Sequence, residues 1–167
     1  MSAPTETQLG QAAASLAGDL VAAEWTLSTA ESSTAGLIGH AITMVPGASR
    51  YYFGGVIAYS NLAKEFELGV PDELIAERGA VSEEVAAAMA EGVRDRFDTD
   101  LAVAVTGIAG PEGEGIGKPR GLHYVAACRR GHPAVVERHV FTHDRDGNKA
   151  AAALAALELA RREISAG

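Results

Sequence analysis

Apolar residues at Leu9, Ala12, Ala13, Leu16 and Leu20 recur every three or four positions, which predicts an amphipathic helix over 7–23, after a polar, loose start at 1–6. β-Forming residues at alternate places (Trp25, Leu27, Thr29) predict a strand over 25–30. The polar cluster Glu31, Ser32, Ser33 and Thr34 breaks the pattern before helical spacing returns at Leu37, Ile38, Ala41 and Ile42. The order is strand, tight turn, helix start.

Further along, 52–59 reads as a strand with Gly54 and Gly55 near its beginning, and 61–68 as a short helix capped by Ser60 or Asn61. A second short helical piece covers 71–78. Ser82 followed by Glu83 and Glu84 opens a helix that runs to about 97, its acids complementing the helix dipole. The unbroken apolar run 101–105 predicts a strand covered on both faces. Six glycines and two prolines within 107–121 predict a long loop. Strands over 122–128 and 134–141, turned at Arg130, Gly131 and His132, lead into an alanine-rich helix over 144–164 with core contacts at Leu154, Leu157 and Ile164. Alternating strands and helices ending in a hairpin predict an α/β fold, a single-domain α/β/α sandwich with a mixed, mostly parallel sheet spanning 1–167.

Composition narrows the function. With 167 residues and 47% hydrophobic content, the chain has apolar mass for one sizeable core. A formal charge of -8 argues against nucleic acid as partner, because a phosphate backbone needs a basic face, and an anionic substrate would need locally placed cations. The single cysteine, Cys128, sits in the apolar run from Tyr124 to Ala127 and reads as a buried small hydrophobe. No stretch approaches the roughly 20 apolar residues of a membrane span. The N-terminus lacks the basic start and apolar block of a targeting segment, so a cytoplasmic enzyme or binding module is expected.

Three clusters carry possible chemistry. In the turn Glu31-Ser32-Ser33-Thr34, a strand end exposes side chains where a following helix offers free N–H groups; the plainer reading is that one hydroxyl caps the helix. Ser60 and Lys64, four apart on a helix, form a purely local serine and lysine pair and rival Ser32 as nucleophile, although Ser60 also reads as a cap. Ala63 rules out the Ser-x-x-Lys pattern of penicillin-recognising enzymes. Thr106-Gly107-Ile108-Ala109-Gly110-Pro111 ends a buried strand, where open α/β sheets bind ligands. No familiar phosphate loop is present, since Gly117-Lys118 lacks the earlier glycine.

A metal is not expected. Asp144, Asp146 and Asn148 imitate the start of a calcium loop, but Lys149 and Ala155 occupy the glycine and glutamate places. His139 and His143 lack further ligands.

The strings Ala30-Glu31-Ser32-Ser33-Thr34-Ala35-Gly36, Tyr59-Ser60-Asn61 with Lys64, Gly79-Ala80-Val81-Ser82, Thr106 to Pro111, Lys118-Pro119 with Gly121, and Asp144-Arg145-Asp146 occur in one order over about 8–164. Together they resemble the C-terminal domain of the CinA competence/damage-inducible family. The resemblance implies a nicotinamide mononucleotide deamidase of the pyridine-nucleotide cycle, yielding nicotinate mononucleotide and ammonia without a cofactor. It implies Ser32, Tyr59 and Lys64 as catalytic residues, favouring Ser32 over Ser60. Substrate donors are expected from Ser33, Thr34, Thr106, Gly107 and Arg145. Where the family commonly has Cys-Thr-Gly-Gly after the serine, this chain has Ser33-Thr34-Ala35-Gly36, and Pro111-Glu112-Gly113-Glu114-Gly115 replaces paired glycines. Larger members carry a further N-terminal domain, so the chain reads as the stand-alone form, and a homo-oligomer is expected.

The implied mechanism has Lys64, directly or through the Tyr59 hydroxyl, taking the proton from Ser32, with N–H groups near Ser33 and Thr34 holding the oxyanion. Rival readings are a non-catalytic nucleotide-binding or stress-associated module on the same fold, and a serine and lysine amidase or peptidase with another amide substrate.

Overall fold

The computed structural model describes residues 1–111 and 117–167. In chain order the elements are α1 (Glu6–Ala23), β1 (Leu27–Glu31), α2 (Leu37–Thr43), a 3₁₀ turn (Ala48–Arg50), β2 (Tyr52–Ile57), α3 (Asn61–Leu68), α4 (Asp72–Arg78), α5 (Glu83–Phe97), β3 (Leu101–Gly107), β4 (Leu122–Arg129), β5 (Val135–Val140) and α6 (Arg145–Ser165). The five strands lie in the order β2-β1-β3-β4-β5. Strand β1 runs parallel to both neighbours, β4 is antiparallel to β3 and β5 antiparallel to β4, so only β4 opposes the other strands. The sheet is mixed and mostly parallel, as expected.

Alternation along β3 builds two unlike faces. Leu101, Val103 and Val105 meet α1, α2 and α6, whereas Ala102 and Ala104 face the other layer, where Val85, Met89 and Val93 of α5 supply the bulk. Helix α3 approaches α5 so closely that a Cβ on Gly92 would lie 1.9 Å from the Leu68 carbonyl oxygen. Helices thus cover both faces, and β3 is buried at every position but its last. Cys128 is buried in the α5 layer.

The differences in boundaries have local causes. Helix α1 begins at Glu6 because Thr5 and Gln8 form a reciprocal capping box, so order begins inside the stretch expected to be loose. Strand β1 starts at Leu27, since Thr26 is held outside the ladder by Asp100: its N–H and hydroxyl both donate to Oδ2, at 2.9 and 2.8 Å. Strand β2 stops at Ile57, and the carbonyls of Ala58 and Tyr59 turn instead to Lys64. Strand β3 reaches Gly107 because β4 continues to pair with it through Thr106↔Tyr124 and Gly107↔His123. The 3₁₀ turn was not anticipated. The loop expected over 107–121 includes 112–116, which lie outside the described residues. No helix among the described residues is long and apolar enough to cross a membrane.

Candidate active site

Strand β1 ends at the carboxyl edge of the sheet between two parallel neighbours, and the turn that follows it presents Ser32. Its amide continues the ladder by donating to Val105 (3.0 Å), and its carbonyl accepts from Ala35 (3.1 Å), so the residue is fixed on both sides. Ala35 (φ 51°) and Gly36 (φ 97°) then take two successive left-handed conformations, which turn the chain into α2.

Lys64 approaches from α3. Ser60 caps that helix, its Oγ accepting from the Ala63 amide at 3.1 Å, so Ser60, the local rival to Ser32, has the capping task that its position also suggested. The cap sets the helix phase that places Lys64 and Leu68 on the inward face. Lys64 is only 2% exposed, and its Nζ lies 3.0 Å from Ser32 Oγ, 3.0 Å from the Ala58 carbonyl and 3.3 Å from that of Tyr59. Two segments 32 residues apart thus deliver a hydroxyl and an amine to one buried point.

A cavity of about 260 Å³ opens over this pair. Ser32, Ser33 and Lys64 form one side, Ala80 and Val81 of the α4–α5 connection another, and the chain from Gly107 to Gly110 a third. Tyr59 and Arg145 stand at the mouth. The Tyr59 side chain is 60% exposed, and its hydroxyl accepts from Arg145 at 3.2 Å; Arg145 also donates to the Gly110 carbonyl. The contact between Lys64 and Ser32 is therefore direct, with no phenol between them: Tyr59 offers Lys64 its carbonyl, and its hydroxyl accepts from Arg145.

The remaining expected substrate contacts divide. Ser33 and Gly107 line the cavity. Thr34 lies behind that lining, and Thr106, 1% exposed, donates its hydroxyl to the Ala80 carbonyl at 2.7 Å, bracing one wall to another. The Ser33 and Thr34 hydroxyls are buried without a hydrogen-bond partner among the described residues. The backbone N–H groups of both residues likewise donate to no acceptor among the described residues.

Three further residues support the site in roles that their sequence strings did not assign. Glu31 is buried, with its carboxylate accepting from the amides of Gly36, Ile38 and Gly39 at 3.0, 3.1 and 2.8 Å. Its signal was a carboxylate closing a strand that is buried at every position, where hydrogen-bond donors must compensate burial. Asn148 is fully buried; its Oδ1 accepts from the His143 amide (3.0 Å) and its Nδ2 donates to the Ala109 carbonyl (2.8 Å), steadying the third wall. Lys118 donates to the carbonyls of Val81 (2.6 Å) and Arg78 (3.2 Å), tying the segment before β4 to the second wall.

Among the described residues no group of three or more His, Cys, Asp or Glu side chains is placed to hold a metal ion. Asp144 caps α6 by accepting from Gly147, and His139 faces Glu137 at 3.2 Å. His123 lies under Gly107, fully buried, and burial pushes its imidazole below its ordinary value, which keeps the ring neutral.

A family model for the CinA C-terminal domain matches residues 10–164. The chain belongs to the CinA C-terminal domain family. It is 50% identical over 148 residues to a CinA-like protein of Salinibacter ruber, a match covering 87% of this chain and 35% of that one. A competence-damage inducible protein of Moorella thermoacetica is 47% identical over 147 residues, covering 88% and 35%. The chain spans about a third of the length of these curated CinA relatives. Among solved structures, a CinA superfamily protein from Klebsiella pneumoniae superposes with a TM-score of 0.92 at 31% identity, covering 95% of this chain and 99% of that one. The competence/damage inducible protein CihA from Agrobacterium tumefaciens gives 0.88 at 35%, covering 95% and 96%.

Proposed function

We propose that this CinA domain hydrolyses the carboxamide of nicotinamide mononucleotide, with Ser32 as nucleophile and Lys64 as general base. The observation that carries this reading is the 3.0 Å approach of Lys64 Nζ to Ser32 Oγ in a buried place. A serine hydroxyl needs an adjacent base to attack an amide, and proton transfer requires hydrogen-bond reach. Burial works against the charged form of an amine. A neutral Lys64 that directs its two N–H bonds at the Ala58 and Tyr59 carbonyls presents its lone pair to the Ser32 hydroxyl.

In the first half-reaction Ser32 Oγ bonds to the carboxamide carbon while its proton moves to Nζ. The amides of Ser33 and Thr34, which donate to no acceptor among the described residues, are the donors for the resulting oxyanion. Collapse breaks the C–N bond, the proton passes from Nζ to the departing nitrogen, and ammonia leaves an ester on Ser32. Water then attacks that ester, yielding its proton to Nζ. Breakage of the Oγ–C bond returns the proton to Ser32 and releases nicotinate mononucleotide.

At about 260 Å³ the cavity is just below the usual range for ligand sites, which suits enclosure of the pyridine and ribose with the phosphate left at the mouth. Arg145 is the cation at that mouth, in a chain of net charge -8. The test is ammonia release from nicotinamide mononucleotide, free nicotinamide, the intact dinucleotide and simple amides. Turnover of the mononucleotide that vanishes in Ser32→Ala and persists in Ser60→Ala supports the reading. Preference for an unrelated amide, or binding without ammonia, overturns the substrate assignment.

A further inference from the structure

Glu31 has no part in the proton transfers above, yet its carboxylate accepts from three backbone amides beside the site. Glu31 is the last residue of β1 and directly precedes Ser32, but its side chain reaches forward five to eight residues to the amides of Gly36, Ile38 and Gly39. Each of these is a charge-assisted bond at the start of α2, where a helix leaves its first N–H groups without internal partners. Gly39 leaves little room for change, since a Cβ there would lie 2.8 Å from the Tyr52 hydroxyl and 3.5 Å from Glu31 Oε1.

The bonding divides the amides of the turn into two sets. Those of Gly36, Ile38 and Gly39 go to Glu31, that of Ser32 to Val105, and those of Ala35 and Leu37 to Ser32 and Thr34 carbonyls. Among the described residues, the amides of Ser33 and Thr34 are left over. The same three bonds hold the far end of the left-handed pair Ala35 and Gly36, a conformation that an alanine adopts only when its surroundings impose it.

We propose that Glu31 is a positioning residue of this site: by binding the first amides of α2 it fixes the turn that sets Ser32 against Lys64 and holds the Ser33 and Thr34 amides in place as oxyanion donors. The proposal rests on the reading of Ser32 as nucleophile, but not on the identity of the amide. Gln at this place has the same shape, yet one carboxylate oxygen becomes an NH₂ that faces N–H donors. The turn then loosens without emptying the core.

The experiment compares wild type, Glu31→Gln and Glu31→Asp, each checked for an intact thermal transition. Two rates are read: amide hydrolysis of nicotinamide mononucleotide, and covalent labelling of Ser32 by a small alkyl fluorophosphonate. The expected result for Glu31→Gln is a kcat lower by about 10²-fold with KM within about threefold, the signature of a lost transition-state contact, and a parallel fall in labelling. Glu31→Asp, which keeps the charge and shortens the reach, falls between. Labelling that depends on Glu31 while the mononucleotide is not turned over sinks the substrate assignment and leaves the positioning role standing. Unchanged kcat and labelling in a folded Glu31→Gln protein overturn the positioning role. A second measurement needs only wild type: on phosphonylation of Ser32, the amide proton resonances of Ser33 and Thr34 shift downfield, whereas those of Gly36, Ile38 and Gly39 stay in place. No shift at Ser33 and Thr34, or a Ser32 that does not label, also overturns the proposal.

Discussion

Arg145 at the start of α6 donates to the Tyr59 hydroxyl at 3.2 Å across 86 residues of sequence, and so closes one side of the cavity mouth. Because Lys64 uses the Tyr59 carbonyl and not its phenol, the two parts of Tyr59 are separable by mutation. Tyr59→Phe is expected to leave kcat within about tenfold, since the backbone contact persists, and to raise KM by freeing Arg145. Arg145→Ala is expected to raise KM for the mononucleotide further, by about 10-fold or more, as loss of one charged hydrogen-bonding group costs about 1.5–3 kcal/mol. Steady-state kinetics of both variants check this; a large fall in kcat for Tyr59→Phe would place the phenol in the proton path.

Gly107 and His123 form a steric lock beneath the cavity. A Cβ at Gly107 would lie 2.1 Å from His123 Cδ2, far inside contact distance. Gly107→Ala is expected to destabilise the fold by about 1–3 kcal/mol through overpacking. Adding His123→Ala should recover part of that loss, because the two sites share the same space. Thermal unfolding of the single and double variants reads the coupling, and strict additivity would contradict it.

Ala35 occupies a left-handed conformation at φ 51°. Such a conformation costs an L-residue roughly 1–2 kcal/mol, and glycine avoids it while losing about 0.5–1 kcal/mol in backbone entropy. Ala35→Gly is therefore expected to stabilise the domain by up to about 1 kcal/mol, seen as a higher denaturant midpoint. A lower midpoint would show that the Ala35 methyl makes contacts worth more than the strain.

The buried His123 imparts a pH dependence of stated sign. Burial lowers its value, the Gly121 carbonyl opposes the drop and the neighbouring His139 adds to it. In the unfolded chain the ring takes up a proton near pH 6.5. Its contribution to stability is thus full above about pH 6.5 and is lost as pH falls from there toward the lower folded value. Unfolding free energy should decline between about pH 7 and pH 5, and His123→Gln should flatten that decline; an equal slope in both proteins would contradict it.

Much of this architecture was legible in the sequence because periodicity reports burial. The Leu9 to Leu20 stripe, the Leu101 to Val105 run and the caps at Ser60 and Ser82 all mark elements now placed to within a few residues. The pairing of Ser32 with Lys64 was not, since the spacing that favours Ser60 with Lys64 is equally good on a helix; only the family resemblance pointed past it. Thr106 looked like a ligand contact because it ends a buried strand, but its hydroxyl is spent on Ala80. Glu31 and Asn148 stayed hidden because their partners are backbone groups, which no side-chain pattern advertises.

The role of Lys64 as the base for Ser32 is tested by ammonia release from nicotinamide mononucleotide by folded Lys64→Met protein under single-turnover conditions. The expected rate is at least about 10²-fold below wild type, the usual contribution of a positioned general base. A rate within about threefold of wild type would contradict that role.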